Sequence, residues 1–281
     1  MGSIDEFRDF YARYVVGVAG STDERLIAAF SSVHREDFVG PGPWSIFIGS
    51  GYLSTTSDDP RFVYQDLLVG LAPERGINNG EPSLHARCLA AVMPRFGETV
   101  VHIGAGTGYY TALLAALVGT MGQVTAFEIA IDLAERAKGN LRGLPNVHVI
   151  AGSGAESSLP NADVIYVNAG ATHPLESWLD ALNLGGRLIF PLTPNEGFGC
   201  MLRVTRVSET QYAASVVTQV TFIPCIGARD EQASATLASA LQTQSLTPVR
   251  SLRRGNDHDE TACCVGSGWW LSSREPEVKA T

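Results

Sequence analysis

The chain has 281 residues, of which 45% are hydrophobic and 17% are charged, and its formal net charge is −9. This length and composition predict one large α/β domain with appendages and exclude gross disorder. An acidic chain with few clustered lysines lacks the positive surface that grips a phosphate backbone, so we expect no nucleic acid partner.

Compartment and metal binding are read from the same composition. The sequence contains no secretory signal and no apolar run near the roughly 20 residues that span a membrane, so a cytoplasmic protein without a membrane partner is expected. The five scattered cysteines lack Cys-x-x-Cys spacing and fit reduced thiols. The six histidines are not spaced as ligands, and no metal site is predicted.

The first 95 residues read as a helical segment with long loops. Helical spacing of apolar residues occurs in Ile4–Val16, Thr22–Phe30 and Ser83–Met93. Between these helices lie the loop Gly40–Pro60, rich in glycine, proline and serine, and the loop Pro73–Pro82. We interpret residues 1–95 as a helical N-terminal segment that carries the acceptor-side loops.

Residues 96–228 alternate between strands and helices. Alternation of this kind predicts a doubly wound parallel sheet. The predicted strands are Thr99–Ile103, Gln123–Phe127, Val147–Ile150, Val164–Val167 and Arg187–Phe190, and the predicted helices are Tyr109–Val118, Ile131–Leu141 and a segment near Leu175–Leu182.

The pattern changes again after these elements. Cys200–Val207 and Tyr212–Thr221 are rich in β-formers with no helix between them, which predicts an antiparallel hairpin at the sheet edge. Residues 229–281 form a C-terminal extension with one helix, Glu231–Leu241, and two apolar pieces, Val249–Leu252 and Ala262–Leu271.

A glycine-rich turn, Gly104–Gly108, follows the first strand and opens a helix. Its glycines let a ligand approach the backbone, and the helix N-terminus offers free N–H groups. Glu128 ends the next strand, where a carboxylate can accept both hydroxyls of a ribose. The spacing G-x-G-x-G, with Tyr109 crowding the turn, favours S-adenosylmethionine over a dinucleotide. A glycine turn without a ligand stays as the third interpretation.

At this point the chain resembles the protein-L-isoaspartate O-methyltransferase family. Five segments between about Arg25 and Gly227 resemble the family's motifs in the family's order: Val33–Val39, Tyr64–Asp66, Ile103–Tyr109, Leu182–Pro191 and Phe222–Pro224. The resemblance implies a seven-stranded Rossmann-like methyltransferase sheet with an antiparallel terminal hairpin. It also implies S-adenosylmethionine as the methyl donor and the carboxylate of an isoaspartyl or aspartyl peptide, or of a small acid, as acceptor.

The resemblance assigns a set of residues to the donor. They are His102, Gly104, Ala105, Gly106, Thr107, Gly108, Tyr109, Glu128, Ile129, Gly152, Ser153, Gly154 and Asn168. His102 is alternatively a satisfied core histidine. Ser153 stands where the family tends to carry an aspartate that accepts a hydrogen bond from the adenine amino group, and we expect the serine to accept that bond more weakly.

The acceptor-side loop departs from the family at a serine close to the transferring methyl group. Aligned on Pro82, the serine position is Gly80; aligned on Ile77, it is Asn78. We hypothesise that Asn78 and Asn79 replace the hydroxyl by donating amide N–H bonds to the acceptor carboxylate. The alternative is that they only shape the turn before Gly80.

The next candidate is His85, which either faces the acceptor or has a surface or capping role. Two other functions stay open: methylation of another oxygen or nitrogen of a small molecule, and a donor-binding pseudo-methyltransferase without turnover.

The chain is predicted to divide into residues 1–95, 96–228 and 229–281, with the donor site in the middle segment. The oligomeric state does not follow from the sequence.

Overall fold

The computed structural model describes residues 2–243, 246 and 248–277. Contacts divide them into two compact units. The first unit contains the described residues up to Glu98 together with Ala105–Gly152, and the second contains Thr99–Gly104 together with the described residues from Ser153 onward.

Helices and strands alternate through the middle of the chain, as the sequence predicts. The helices of the described residues are α1 Ile4–Val18, α2 Glu24–Ser32, α3 Pro82–Val92, α4 Tyr109–Val118, α5 Ile131–Leu141, α6 Glu176–Asp180 and α7 Glu231–Thr243. The strands are β1 Ser45–Phe47, β2 Tyr52–Ser54, β3 Gly70–Ala72, β4 Ile77–Asn78, β5 Thr99–Ile103, β6 Gln123–Glu128, β7 Val147–Ala151, β8 Ala162–Val167, β9 Leu182–Leu192, β10 Gly199–Arg206, β11 Tyr212–Val220, β12 Ser251–Arg254, β13 Ala262–Gly266 and β14 Trp269–Ser272.

The first unit begins with two capped helices. Ser3 and Glu6 form a capping box at the start of α1, because each side chain accepts a hydrogen bond from the other residue's backbone N–H. Asp23 caps α2 through the backbone N–H of Arg25. These side chains satisfy N–H groups that a helix start leaves unpaired, which explains where both helices begin.

Two short hairpins lie between α2 and α3. Strands β1 and β2 pair antiparallel inside the predicted loop Gly40–Pro60, and β3 pairs with β4. The backbone N–H of Phe47, at the end of β1, donates to the carbonyl of Leu68 at 3.0 Å, and Ile46 forms a bridge with Val69. The chain around the predicted acceptor-side loops is therefore built from short paired strands and not from irregular chain alone.

The second unit carries eight strands in the order β13-β14-β12-β11-β10-β9-β8-β5. The pairs β5–β8 and β8–β9 are parallel, whereas β9–β10 and β10–β11 are antiparallel. The predicted hairpin is therefore confirmed as β10 and β11. In the first unit β6 and β7 pair in parallel, as expected for consecutive strands joined by α5.

Two elements differ from the expected pattern. Helix α6 has five residues, because Leu182 already pairs with Ala162 at the start of β9. The C-terminal extension continues the sheet beyond β11 through β12, β14 and β13, and all four residues of β14 are buried. No helix in the described part of the chain is long and apolar enough to cross a membrane.

Candidate donor and acceptor site

The glycine turn needs glycine for steric reasons. Gly104, Gly106 and Gly108 have φ values of 79°, 57° and 97°, a region that side chains rarely adopt. A Cβ at Gly108 would also lie 2.7 Å from Cδ1 of Leu141. The turn therefore brings bare backbone to the N-terminus of α4, which suits a ligand that approaches closely.

The carboxylate of Glu128 is tied to this turn. Its Oε2 accepts a hydrogen bond from the backbone N–H of Gly106 at 2.7 Å, and its Oε1 accepts one from Ala130 at 2.9 Å. The side chain is 7% exposed, and burial raises the pKa of this carboxyl group above its ordinary value. A carboxylate accepts about four hydrogen bonds, so acceptor capacity remains for a ribose hydroxyl. Ile129 follows with an exposed side chain.

In the second unit, His102 and Asn168 lie together at the ends of parallel strands. The Nδ2 of Asn168 lies 2.9 Å from the Nε2 of His102, and the histidine is fully buried. Burial lowers the pKa of His102 to about 3, so the ring is neutral and accepts the amide N–H. The satisfied-core interpretation thus fits His102. The buried Oδ1 of Asn168 has no hydrogen-bond partner among the described residues.

The hydroxyl groups of Tyr109 and Thr107, two residues of the first unit that were predicted to bind the methyl donor, have different surroundings. Tyr109 is buried against Phe30 and Phe38, and its hydroxyl lies 3.3 Å from that of Tyr11. Its ring is a core element, which leaves the backbone of Tyr109 as the part open to a ligand. The hydroxyl of Thr107 is buried without a partner among the described residues, while its carbonyl accepts the side-chain amide of Asn140.

The segment Gly152–Gly154 follows β7. The backbone N–H of Gly152 donates to the carbonyl of Glu128 at 2.9 Å, and the carbonyl of Gly154 accepts the indole N–H of Trp178 at 3.0 Å. The Oγ of Ser153 accepts the backbone N–H groups of Ala155 and Glu156 at 3.2 and 3.3 Å. The serine hydroxyl therefore caps the turn that follows, which the sequence analysis did not anticipate.

The two asparagines of the acceptor loop have different surroundings. The Oδ1 of Asn78 accepts the backbone N–H of Gly80 at 2.9 Å, so this side chain shapes the turn. Asn79 is 6% exposed and donates its backbone N–H to the carbonyl of Val69 at 2.8 Å. Its Nδ2 has no hydrogen-bond partner among the described residues. Of the two amides, Asn79 is the one with a buried donor to offer.

The imidazole of His85 fills the space beside Gly80. His85 is buried and stacks on Tyr110, with ring centroids 3.6 Å apart and planes inclined by 21°. A Cβ at Gly80 would lie 2.4 Å from the Nε2 of His85, and Gly80 has a φ of 62°. The alternative of a surface position for His85 is wrong. A side chain at Gly80, one of the two positions aligned with the family's serine, would require His85 to move.

Sequence reasoning missed two residues that bind the acceptor loop from other elements. The hydroxyl of Tyr110 donates to the carbonyl of Gly80 at 3.4 Å, and the guanidinium of Arg35 reaches the same carbonyl at 3.5 Å. Arg35 belongs to a segment that we used only as a family marker. An arginine that follows an apolar helix in such a segment is the signal that could have identified it.

No group of three or more metal-ligating side chains occurs among the residues that the structure describes.

Comparisons with known proteins agree on one family. The family model described as protein-L-isoaspartate(D-aspartate) O-methyltransferase (PCMT) matches residues 18–230. Protein-L-isoaspartate O-methyltransferase 1 of Rhodopseudomonas palustris is 35% identical over 216 residues, which cover 75% of this chain and 80% of the relative. A protein-L-isoaspartate O-methyltransferase of Ignicoccus hospitalis is 34% identical over 170 residues, covering 59% and 79%.

Solved structures show the same fold. A protein-L-isoaspartate O-methyltransferase superposes with a TM-score of 0.66 at 23% identity, covering 83% of this chain and 69% of the other. A Plasmodium falciparum protein assigned to the same class, solved with S-adenosyl-L-homocysteine, gives a TM-score of 0.63 at 18% identity, covering 78% and 98%. The predicted Rossmann-like methyltransferase fold is therefore confirmed.

Proposed function

Because the chain belongs to the protein-L-isoaspartate(D-aspartate) O-methyltransferase family, we propose that it methylates the carboxylate of an isoaspartyl residue in a peptide or protein, with S-adenosylmethionine as donor. Family membership supports this reaction. Because the acceptor loop of this chain lacks the family's serine, another group of the loop must bind the acceptor carboxylate.

The donor side fits S-adenosylmethionine, which supplies an electrophilic methyl group on a sulfonium sulfur when it is bound. Glu128 would hold the ribose hydroxyls with the acceptor capacity that its backbone N–H partners, Gly106 and Ala130 among them, leave open. The unpaired hydroxyl of Thr107 is a buried polar group that a ligand can satisfy. Glu128 and Thr107, both in the first unit, support donor binding by the glycine turn. In the second unit, the unpaired Oδ1 of Asn168 is a buried acceptor of the same kind.

The observation that carries the acceptor half is the amide of Asn79. A buried N–H without a partner loses a hydrogen bond that water would have supplied, which costs about 1–3 kcal/mol. A carboxylate is a strong acceptor for such a donor, and charge-assisted bonds are about twice as strong as neutral ones. Asn79 therefore takes the part that the serine hydroxyl has in the family.

Methyl transfer to a carboxylate requires that the acceptor oxygen be positioned, and it requires no proton transfer. A carboxyl group with a pKa of about 4 is ionised at neutral pH, so no general base is needed. Asn79 would hold one acceptor oxygen, and the turn fixed by Asn78 and Gly80 would keep that amide in place. Orientation of this kind contributes by holding the two reactants on the reaction axis.

The test is transfer of label from methyl-labelled S-adenosylmethionine to a synthetic isoaspartyl peptide, followed by mild base. We expect label that base releases as methanol, because a methyl ester hydrolyses readily. Label that resists base would place the methyl group on another oxygen or on nitrogen. Donor binding without any label would identify a pseudo-methyltransferase. Either of these results contradicts the proposed function.

A further inference from the structure

Arg35 is a fully buried cation beside the acceptor loop. It opens the short 3-10 helix Arg35–Asp37 after α2, and its exposed fraction is 0%. No carboxylate lies within ion-pair distance of its guanidinium among the described residues. Burial of a charge is costly, and the hydrogen bonds of this guanidinium together with the nearby charge of Asp66 offset that cost.

The guanidinium binds main-chain carbonyls from two segments. Its Nη1 donates to the carbonyls of Val63 and Gln65 at 2.8 and 2.9 Å. Its Nη2 donates to Leu67 at 2.7 Å and reaches Gly80 at 3.5 Å. The fixed fork of a guanidinium suits this arrangement, because it presents five donors in one plane.

Both segments hold Asn79. Gly80 is the residue after Asn79, and its carbonyl also receives the hydroxyl of Tyr110. Val69, two residues after the clamped Leu67, accepts the backbone N–H of Asn79 at 2.8 Å. Arg35 thus connects the segment that leads to Val69, the residue that accepts the Asn79 N–H, to the turn that follows Asn79.

We infer that Arg35 is a positioning residue for the methyl acceptor: its guanidinium ties residues 63–67 to Gly80 and so fixes the direction of the Asn79 amide. The inference rests on the proposed function of Asn79. It assigns a role to the segment Val33–Val39, which the donor site does not use. Arg35 acts through Asn79 and does not itself touch the acceptor.

The first test replaces Arg35 by lysine, which keeps the charge and loses the planar fork. We expect Arg35→Lys to lower kcat/KM for an isoaspartyl peptide about tenfold, mainly through KM, the size expected when one charge-assisted bond is misaligned. The dissociation constant for S-adenosyl-L-homocysteine, measured by calorimetry, should stay unchanged.

Arg8→Lys is the matched control. Arg8 is also largely buried in the first unit, but it binds Tyr64 and Glu36. We expect it to lower thermal stability with little effect on kcat/KM. An equal loss of kcat/KM in both variants would overturn the inference, because it would indicate general destabilisation.

The second test is a double-mutant cycle with Asn79→Ala. If Arg35 acts through Asn79, Arg35→Lys costs little once the amide is gone, since coupled residues are not additive. An additional tenfold loss in the Asn79→Ala background would overturn the inference. Tyr110→Phe probes the same Gly80 carbonyl without touching Arg35, and its smaller loss should also vanish in that background. This variant keeps the test usable if Arg35→Lys does not fold.

The failures of the two proposals can be told apart. Wild-type protein without base-labile label contradicts the proposed function. Wild-type protein with such label, combined with an Asn79→Ala variant of undiminished turnover, contradicts the role of Asn79 and with it the inference about Arg35, while the methylation reaction itself stands. Labelled wild type, a slowed Asn79→Ala variant and an additive Arg35→Lys loss contradict only the inference about Arg35.

Discussion

Two adjacent asparagines of the acceptor loop have different roles, one structural and one functional. The side-chain oxygen of Asn78 accepts the backbone N–H of Gly80, whereas the side-chain N–H of Asn79 is buried without a partner among the described residues. We expect Asn79→Ala to lower kcat/KM about tenfold, the equivalent of one hydrogen bond of about 1.4 kcal/mol, with unchanged donor affinity.

The matched variant is Asn78→Ala. It removes a turn hydrogen bond, so we expect the free energy of unfolding to fall by about 1 kcal/mol, measured by urea denaturation. A variant pair in which Asn78→Ala, and not Asn79→Ala, abolishes turnover at full stability would contradict the assignment.

Reintroducing the family's serine at Gly80 should impair the enzyme. The Nε2 of His85 occupies the space of the new Cβ, and the positive φ of Gly80 adds strain. Gly76→Ser is the control, because Gly76 has a φ of 70° and open space around it. We predict that Gly80→Ser lowers both melting temperature and turnover more than Gly76→Ser does. Turnover above wild type would mean that His85 moves aside.

At the scale of elements, β6 places Glu128 against the glycine turn. The ionised carboxylate accepts ribose hydroxyls more strongly than the protonated carboxyl group does, and burial raises the pKa of Glu128. We therefore expect affinity for S-adenosyl-L-homocysteine to weaken as the pH falls, with a midpoint above the ordinary glutamate value. Glu128→Gln should bind more weakly at neutral pH and lose this pH dependence. Calorimetry over a pH series tests it, and an unchanged pH profile in the variant would refute it.

Periodicity predicted the elements of the α/β core because each of them buries an apolar face. Helix α4 and strand β8 are almost entirely buried, and both are where the sequence predicts them. Strands β1 and β2 escaped prediction because they have three residues each and lie among glycines and serines, which indicate a loop. Short strands depend on their tertiary partners, here the chain at Leu68 and Val69.

The candidate site was predictable to different depths. The glycine turn and Glu128 follow from local pattern, since a strand, a turn and a helix have fixed geometry. The contrast between Asn78 and Asn79, the capping role of Ser153 and the clamp by Arg35 depend on contacts between distant segments. Single-residue patterns carry no information on such contacts. The assignment of individual residues to donor and acceptor stays a prediction.

At the scale of the whole molecule, the C-terminal extension is part of the sheet. Leu252 pairs with Tyr212 of β11, and Leu271 of β14 is fully buried. We predict that Leu271→Ala lowers the free energy of unfolding by about 2–5 kcal/mol, because it leaves a cavity. Leu184→Ala, at a side chain that is 73% exposed, should change it by less than about 0.5 kcal/mol. Similar unfolding curves for both variants would argue against an integral extension.

The acidic balance of the molecule bears on its acceptor. A net charge of −9 repels an anionic peptide at long range, although salt screens this repulsion. Close to the acceptor loop, the positive charge of the buried Arg35 counteracts this repulsion.

The division into three segments and the cytoplasmic location stay predictions.

The proposed acceptor is the carboxylate of an isoaspartyl residue. The most direct measurement mixes two peptides in one reaction, identical except that one carries isoaspartate and the other aspartate at the same position, and compares their rates of base-labile methylation. We expect the isoaspartyl peptide to take nearly all the label and Asn79→Ala to reduce its rate. Equal labelling of both peptides, or label that resists base, would contradict it.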